Sequence, residues 1–212
     1  MSNFIDLTLH VHATLTEPML GMEPANKDIF SQFIASKAPD AESRDEEIAN
    51  KGTEEYVQDH ITVFPRNEDG IPFLWDYQIK GFFKDSCGLL KRVKGTLSSK
   101  VTAYKKIIDG TIFIGDRQNP IYTQEPITIC ERRLRASTPQ GERISLAASE
   151  QIAAGSVIDF DIWLMNEDDV KLVQEWLSYG EYHGFGQWRN SGKGKFVYSY
   201  ELEKNGEIIE RG

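Results

Sequence analysis

Residues 184–196 read GFGQWRNSGKGKF, in which two Gly-x-Gly pairs enclose a basic and aromatic centre. Glycine has no Cβ, so it permits positive φ angles and a close approach of the backbone to a ligand. The side chains among these glycines offer one stacking surface and three positive charges. They are Trp188, Arg189, Lys193 and Lys195. The segment predicts a loop that contacts phosphate or nucleic acid, although ordinary hairpins also carry such glycine pairs.

The two flanks of this loop place it between a helix and a strand. Residues 167–180, EDDVKLVQEWLSYG, have one apolar stripe at helical spacing, made of Val170, Val173, Trp176 and Leu177. Residues 196–202, FVYSYEL, alternate in the manner of a strand. A dinucleotide-binding fingerprint needs the opposite order, strand before loop and helix after it. The loop therefore leads from a helix into a late strand.

The other segments predict further elements of a mixed fold. Residues 4–15, FIDLTLHVHATL, alternate as a half-buried strand, with His10 and His12 on its polar face. Residues 69–93 predict a helix that runs to about Val93. Its apolar face consists of Ile79, Phe82, Phe83, Leu89, Leu90 and Val93. Strands are predicted at 111–115, 126–136 and 156–165, and Pro139, Gln140 and Gly141 mark a turn between two extended arms.

This order of elements is compatible with an α+β fold that has a ferredoxin-like β-α-β-β-α-β core and an antiparallel sheet. Two helices would cover the apolar face of the first strand. Residues 20–70 lack a regular pattern and are rich in charge, so we expect an inserted acidic lobe or mobile loop there. The length of 212 residues and the 40% hydrophobic content favour a single domain over 1–212.

The charge distribution is uneven. The formal net charge of −9 argues against indiscriminate nucleic-acid binding, which usually requires a basic surface. Residues 40–59 carry an acidic excess, whereas residues 80–106 are basic. The basic residues of that second segment are Lys80, Lys84, Lys91, Arg92, Lys94, Lys100, Lys105 and Lys106. Together with Arg132, Arg133 and Arg135 they could line a basic groove, or they could form ordinary solvated faces.

Cysteine content and apolar runs indicate the compartment. Cys87 and Cys130 are the two cysteines and have no metal-ligand spacing. No signal peptide or long apolar run is present, so we expect a cytoplasmic protein with reduced thiols and no membrane contact. We also expect no bound metal and no cofactor.

Three segments resemble one protein family. The chain is similar to the RAMP superfamily of CRISPR ribonucleoproteins, and most of all to its backbone subunits. The family's GxGxxxxxGxG loop matches residues 184–194, and its E-x-(I/L)-P-x-G-(T/S)-x-F-x-F strand pair resembles residues 149–165, with Ala154 in place of proline. Its GxPYIPGSSLKGxxR segment resembles residues 70–81, with WDYQ in place of the small PGSS turn. The counterparts there are Gly70, Pro72, Phe73, Ile79, Lys80 and Gly81.

The resemblance implies that RNA is bound through its shape and backbone, with sequence read by base pairing. The residues expected to contact RNA are Lys80, Gly81, Arg132, Arg133, Arg135, Gly184, Gly186, Trp188, Arg189, Gly192, Lys193, Gly194 and Lys195. Trp188 would either stack on a base or fill the core, and burial in the core is favoured.

Two residues are candidates for catalysis by the same resemblance. In one branch of the backbone subunits an aspartate before the GxPY segment supports metal-dependent RNA cleavage, and Asp59 lies one position from that place. Processing members use a histidine as general acid or base, and His183 next to the loop could act so. The simpler interpretations are a surface carboxylate and a hydrogen-bonded histidine.

Three function classes remain open on the sequence. The first is an RNA-binding subunit of a CRISPR-like ribonucleoprotein that joins other effector subunits or associates with itself into a filament. The second is an interaction protein, for instance a virus-encoded inhibitor, that imitates such a subunit; the acidic balance favours it. The third is an endoribonuclease.

Overall fold

The computed structural model describes residues 7–25, 61–138 and 141–212, with residues 133–138 and 141–146 described as backbone alone. The strands are β1 (Leu7–Leu15), β2 (Met19–Leu20), β3 (Glu23–Pro24), β4 (Thr62–Val63), β5 (Phe73–Trp75), β6 (Ile112–Ile114), β7 (Gln118–Tyr122), β8 (Thr128–Thr138), β9 (Gly141–Ile152), β10 (Val157–Leu164), β11 (Phe196–Lys204) and β12 (Glu207–Arg211). The α-helices of the described residues are α1 (Asp76–Leu90), α2 (Tyr104–Thr111) and α3 (Asp168–Ser178).

The main sheet is antiparallel, and β1 lies near its centre. Its strand order is β12-β11-β1-β10-β7-β5, and β6 also pairs with β10. Val11 of β1 stands opposite Phe160 on one side and Tyr200 on the other. The expectation of an α+β fold with an antiparallel sheet is confirmed.

The core lies between one face of this sheet and helices α1 and α3. The apolar side chains of β1 alternate inward and are buried: Leu7, Leu9, Val11, Ala13 and Leu15. The predicted stripe of α3 is buried as a whole, and Trp176 packs against Phe83 of α1 with ring centroids 5.6 Å apart. The Trp176 Nε1–H donates to Ser98 Oγ over 3.0 Å, so the polar atom of this buried indole has a partner.

Helix α1 ends earlier than the sequence pattern predicts. Ile79, Phe82 and Phe83 are buried as expected, but Leu89 and Val93 are 37% and 51% exposed. The backbone N–H of Val93 bonds to Leu90 O, a three-residue spacing typical of a 3₁₀ turn. This tighter turn directs Val93 away from the core, whereas Leu89 lies inside α1 on its exposed side, so the predicted extension to Val93 is wrong.

A second sheet places the β8–β9 hairpin beside the end of β1. β8 and β9 pair antiparallel from Thr128 opposite Gln151 to Thr138 opposite Gly141, which confirms the two predicted arms. The turn at Pro139 and Gln140 lies outside the described residues. β9 also pairs with β2 and, in parallel, with β4, and β4 pairs with β3. Both ends of the predicted lobe 20–70 therefore join this sheet, while 26–60 lie outside the described residues.

Within the described part of the chain, no helix has the length and apolar character needed to cross a membrane.

Candidate nucleic-acid interface

The glycine-rich loop of residues 184–194 is closed at its base by backbone hydrogen bonds. Phe185 N–H donates to Gly194 O over 2.9 Å, and Gly194 N–H donates to Pro18 O over 2.9 Å. Thr16 N–H donates to Lys195 O over 2.8 Å. The loop is thus fastened both to itself and to the segment between β1 and β2.

Three of the four glycines are required by this internal packing. A Cβ on Gly184 would lie 1.7 Å from Gly194 O, and one on Gly194, which has φ +72°, would lie 1.9 Å from Phe185 O. A Cβ on Gly186 would lie 2.7 Å from Leu20 O. Real Cβ atoms essentially never come within 3.0 Å of a heavy atom outside their own and the adjoining residues. These glycines therefore let the backbone approach itself, while Gly192 has room, with the Lys195 side chain 3.5 Å away.

An aromatic anchor holds the loop on the core. The Phe185 side chain is 3% exposed and stacks on Phe196 of β11 with ring centroids 4.6 Å apart. It also lies 4.8 Å from the Phe82 ring of α1. The loop thereby spans from helix α1 to the edge of the second sheet, which fixes where its polar side chains point.

Trp188 points outward, so the favoured expectation that it fills the core is wrong. Its side chain is 42% exposed and its φ is +57°. The inward position of the loop is already taken by Phe185, and the left-handed turn directs the next aromatic ring away. The Arg132 guanidinium of β8 lies over the Trp188 indole, 4.9 Å from the ring centroid. An exposed indole backed by a cation is a surface on which a base could stack.

The β8–β9 hairpin supplies the polar neighbours of this indole. Arg132 donates from Nη2 to Ser149 Oγ over 2.8 Å, and Ser149 Oγ lies 2.7 Å from Thr62 Oγ1. Lys193 donates from Nζ to Gln151 Oε1 over 3.0 Å. The structure thus brings two of the predicted cations, Arg132 and Lys193, to the same junction. We name Arg132, Ser149, Gln151, Trp188 and Lys193 the loop–hairpin junction. The side chains of Arg133 and Arg135 lie outside the described residues.

Arg189 is partly neutralised by the chain itself. Its Nη1 lies 2.8 Å from Asp85 Oδ2 of α1, and the same oxygen is 2.7 Å from His183 Nε2. The His183 side chain is 15% exposed and its ring stacks on Tyr179. Asp85 therefore holds two predicted functional side chains in place, a role that no local sequence signal marks because 98 residues separate Asp85 from His183.

These contacts affect the two catalytic candidates differently. The His183 Nε2 is engaged by Asp85, and the small exposed fraction of the ring leaves little room for a substrate oxygen. Asp59 lies outside the described residues, so its candidacy stays a prediction. Among the residues that the structure describes, no cluster of histidine, cysteine, aspartate and glutamate side chains has the arrangement of a metal site.

Lys80 and Gly81 lie apart from the loop–hairpin junction. Lys80 Nζ sits 4.8 Å from the Phe113 ring centroid on β6, on the far side of β10 from the loop. Burial lowers the pKa of Lys80, with the nearby Lys84 adding to the effect. Gly81 is exposed in α1, and a Cβ placed on it would have nothing within 4 Å.

Lys195 lies at the end of the glycine-rich loop and is half-buried. Among the described residues, no carboxylate lies within ion-pair distance of its ammonium group.

The open face of the main sheet is acidic. It carries His10 and His12 in a cleft of about 500 Å³, with the four carboxylates Asp159, Asp161, Glu201 and Glu203 around it. His10 Nδ1 is 2.7 Å from Asp161 Oδ1, and His12 Nδ1 is 2.7 Å from Asp159 Oδ1.

Burial alone would lower the pKa of His10, but the hydrogen bonds and charges of Asp161 and Glu203 outweigh it and raise that pKa above 6.5. The cation Arg211 is itself paired with Glu201 over 2.8 Å. Repulsion between these carboxylates and phosphates makes the face a poor platform for RNA.

The fold has a counterpart among solved structures. A chain in the cryo-EM structure of the type III-B Cmr-beta complex bound to cognate target RNA superimposes with a TM-score of 0.56 at 11% sequence identity. The fold is like that of a CRISPR effector chain. The match covers 94% of this chain and 61% of the other, so the present chain corresponds to less than two thirds of that subunit.

Sequence comparison does not add to this result. No protein-family model matches the chain, and a comparison with curated proteins found no match in sequence. The similarity thus concerns the arrangement of helices and strands.

Proposed function

We propose that the protein is an RNA-binding subunit of a CRISPR-type ribonucleoprotein and that the loop–hairpin junction contacts the RNA. The observation that carries the proposal is the exposed Trp188 indole stacked on the Arg132 guanidinium, beside Lys193 and the glycine-rich loop. Stacking on an exposed aromatic ring and charge neutralisation by nearby cations are the common means of binding single-stranded RNA.

The arrangement of the core supports this proposal. We infer that β1, α1, β6, β10, α3 and β11 form a ferredoxin-like unit, since their chain order is β-α-β-β-α-β and their order in the sheet is β11-β1-β10-β6. The strands β2 to β5 and β7 to β9 and helix α2 are inserted between elements of this unit, and β12 extends it beyond β11. The whole chain would act as one domain of the RAMP type. The similarity to a chain of an RNA-bound effector complex agrees with such an assignment.

The cations of the loop do not contribute equally in this proposal. Lys193 and Lys195 have no carboxylate partner among the described residues, whereas Arg189 shares its charge with Asp85. RNA phosphates would therefore meet Lys193, Lys195 and Arg132 first. Gly192, whose Cβ position meets only the flexible Lys195 side chain at 3.5 Å, is the glycine at which RNA could approach the backbone.

Size-exclusion chromatography of the protein expressed without partners, with absorbance read at the wavelengths of protein and nucleic acid, tests the proposal. Co-eluting RNA that ribonuclease removes is expected, and it should be lost when Arg132, Lys193 and Lys195 are together replaced by Gln. A variant with Lys171, Lys204 and Arg211 replaced by Gln has the same net charge and should keep its RNA. Equal RNA content in both variants would refute the assignment of the junction.

A second candidate is an interaction protein that imitates an effector subunit and binds protein instead of RNA. The acidic open face of the main sheet and the net charge of −9 favour it, because such surfaces attract basic proteins and repel RNA. This candidate predicts that the purified protein is free of RNA and that it captures a host effector subunit. Replacement of Asp159 and Asp161 by Lys should abolish that capture.

A further inference from the structure

The segment joining α1 to α2, together with the first turn of α2, forms a second basic surface that the proposed site does not include. Six exposed cations project from it within sixteen positions: Lys91, Arg92, Lys94, Lys100, Lys105 and Lys106. No carboxylate of the described residues lies within ion-pair distance of any of them. On a molecule with a net charge of −9, such a run of unpaired cations is a strong local departure from the overall charge.

This surface is held in a fixed shape by buried contacts. The Glu175 carboxylate of α3 accepts hydrogen bonds from Leu97 N–H over 2.5 Å and from Ser98 N–H over 2.9 Å. The Ser98 hydroxyl also bonds to Glu175, and it accepts the hydrogen bond from the buried Trp176. Glu175 is therefore occupied by the connecting segment, and the neighbouring cations keep their charge for a partner.

An aromatic ring lies among the cations. Lys91 Nζ is 5.9 Å from the Tyr104 ring centroid, and a hollow of about 350 Å³ is lined by Lys91, Ala103, Tyr104, Lys105 and Lys106. Lysines around an aromatic ring suit a phosphate chain with bases attached, because the cations take the phosphates and the ring takes a base. An acidic protein would pair with the lysines but would leave the hollow beside the Tyr104 ring unfilled, whereas a base of RNA would fill it.

The basic surface and the glycine-rich loop are linked by one helix. Asp85 of α1 contacts Arg189 of the loop, and Lys91 follows Asp85 by six residues, about 9 Å along the helix axis. The opposite side of the molecule is the acidic open face of the main sheet, which repels phosphates. A bound strand is thus confined to the side of the molecule that carries both cationic regions.

We infer that this surface, the basic surface of residues 91–106, is a second contact for the same RNA strand, which runs from the glycine-rich loop along the C-terminal half of α1. The inference rests on the proposed function and adds to it a path and a second set of contacts. Each lysine that neutralises a phosphate releases counterions. The proposed path therefore predicts how steeply RNA affinity falls as the salt concentration rises.

The experiment measures the binding of fluorescein-labelled oligouridine by fluorescence anisotropy across a range of salt concentrations. One variant replaces Lys91, Lys105 and Lys106 by Gln. Its control replaces Lys171, Lys204 and Arg211 by Gln, which changes the net charge equally. A third variant replaces Lys193 and Lys195 by Gln. Thermal melting followed by circular dichroism verifies that each variant keeps the fold.

Each phosphate contact on a single strand contributes about 0.7 to the slope of log affinity against log salt concentration. The first variant should therefore lower the slope by about 2 and weaken binding by about 10- to 100-fold near physiological salt, whereas the control keeps the slope of the parent protein. An unchanged slope in the first variant, with a loss of binding in the third, would overturn the path and leave the proposed function standing.

Two other outcomes also decide the matter. If the parent protein binds no oligouridine, both the path and the proposed function are rejected. If poly-L-glutamate displaces the oligouridine at equal concentration of charge, the surface recognises acidic protein, and the inference of an RNA contact fails. If the oligouridine stays bound when poly-L-glutamate is added at equal concentration of charge, the inference of an RNA contact is supported.

Discussion

Replacement of Gly184 by Ala tests whether this glycine is required because the backbone of the loop packs closely against itself. The new Cβ would lie 1.7 Å from Gly194 O and would have to move to at least 3.4 Å for an ordinary contact. Both atoms belong to a closed backbone bridge, so this separation requires the hydrogen bond between Phe185 and Gly194 to break. Overpacking costs about 1–3 kcal/mol and the lost hydrogen bond about 1 kcal/mol, so we expect a loss of about 3 kcal/mol in unfolding free energy.

Urea denaturation and thermal melting measure this loss. For a chain of 212 residues, 1 kcal/mol corresponds to about 2–4 °C, so the melting temperature should fall by about 6–12 °C. Gly81→Ala is the matched control, because nothing lies within 4 Å of its Cβ position and alanine favours the helix by about 0.5–1 kcal/mol. A loss below about 1 kcal/mol for Gly184→Ala would refute the closed geometry of the loop.

Three further perturbations have defined outcomes. Asp85→Asn releases Arg189, so RNA affinity measured by anisotropy should rise while stability changes by less than about 1 kcal/mol, since the pair is partly exposed; a fall in affinity would contradict this. Protonated His10 adds stability below pH 6.5, which is lost as the pH rises through its raised pKa. Urea denaturation should show this decline in the parent and not in His10→Gln, and parallel curves would count against it. Trp176→Ala should cost about 3–5 kcal/mol by urea denaturation because the indole is fully buried, and a loss near 1 kcal/mol would show that the site collapses to fill the space.

The sequence predicts those parts of the fold that depend on a regular local pattern. The alternation in β1 and the stripe of α3 each show which side chains are buried, because burial follows the period of the element. Val93 shows the limit of that reasoning, since the helical period continues in the sequence past the point where the backbone tightens into a 3₁₀ turn. The sequence does not predict β7 and β12, because the solvent-exposed residues Glu207–Arg211 and the short segment Gln118–Tyr122 lack a strong apolar alternation.

The candidate site is predictable only in part, for a similar reason. The glycine spacing locates the loop, but the choice between Phe185 and Trp188 for the core depends on the backbone conformation at residue 188. The contact between Asp85 and Arg189 joins segments that are distant in the chain, and charge composition alone does not reveal it. The stacking of Arg132 on Trp188 likewise arises from the way the hairpin meets the loop.

The bonds from Thr16 and Gly194 to Lys195 and Pro18 have a kinetic consequence. These bonds fix the loop in one conformation before a ligand arrives. Binding therefore removes little conformational entropy from the loop and requires no slow rearrangement of its backbone. Association would then proceed at a rate set by diffusion and long-range charge attraction, and substitutions of Trp188 would act chiefly on the lifetime of the complex.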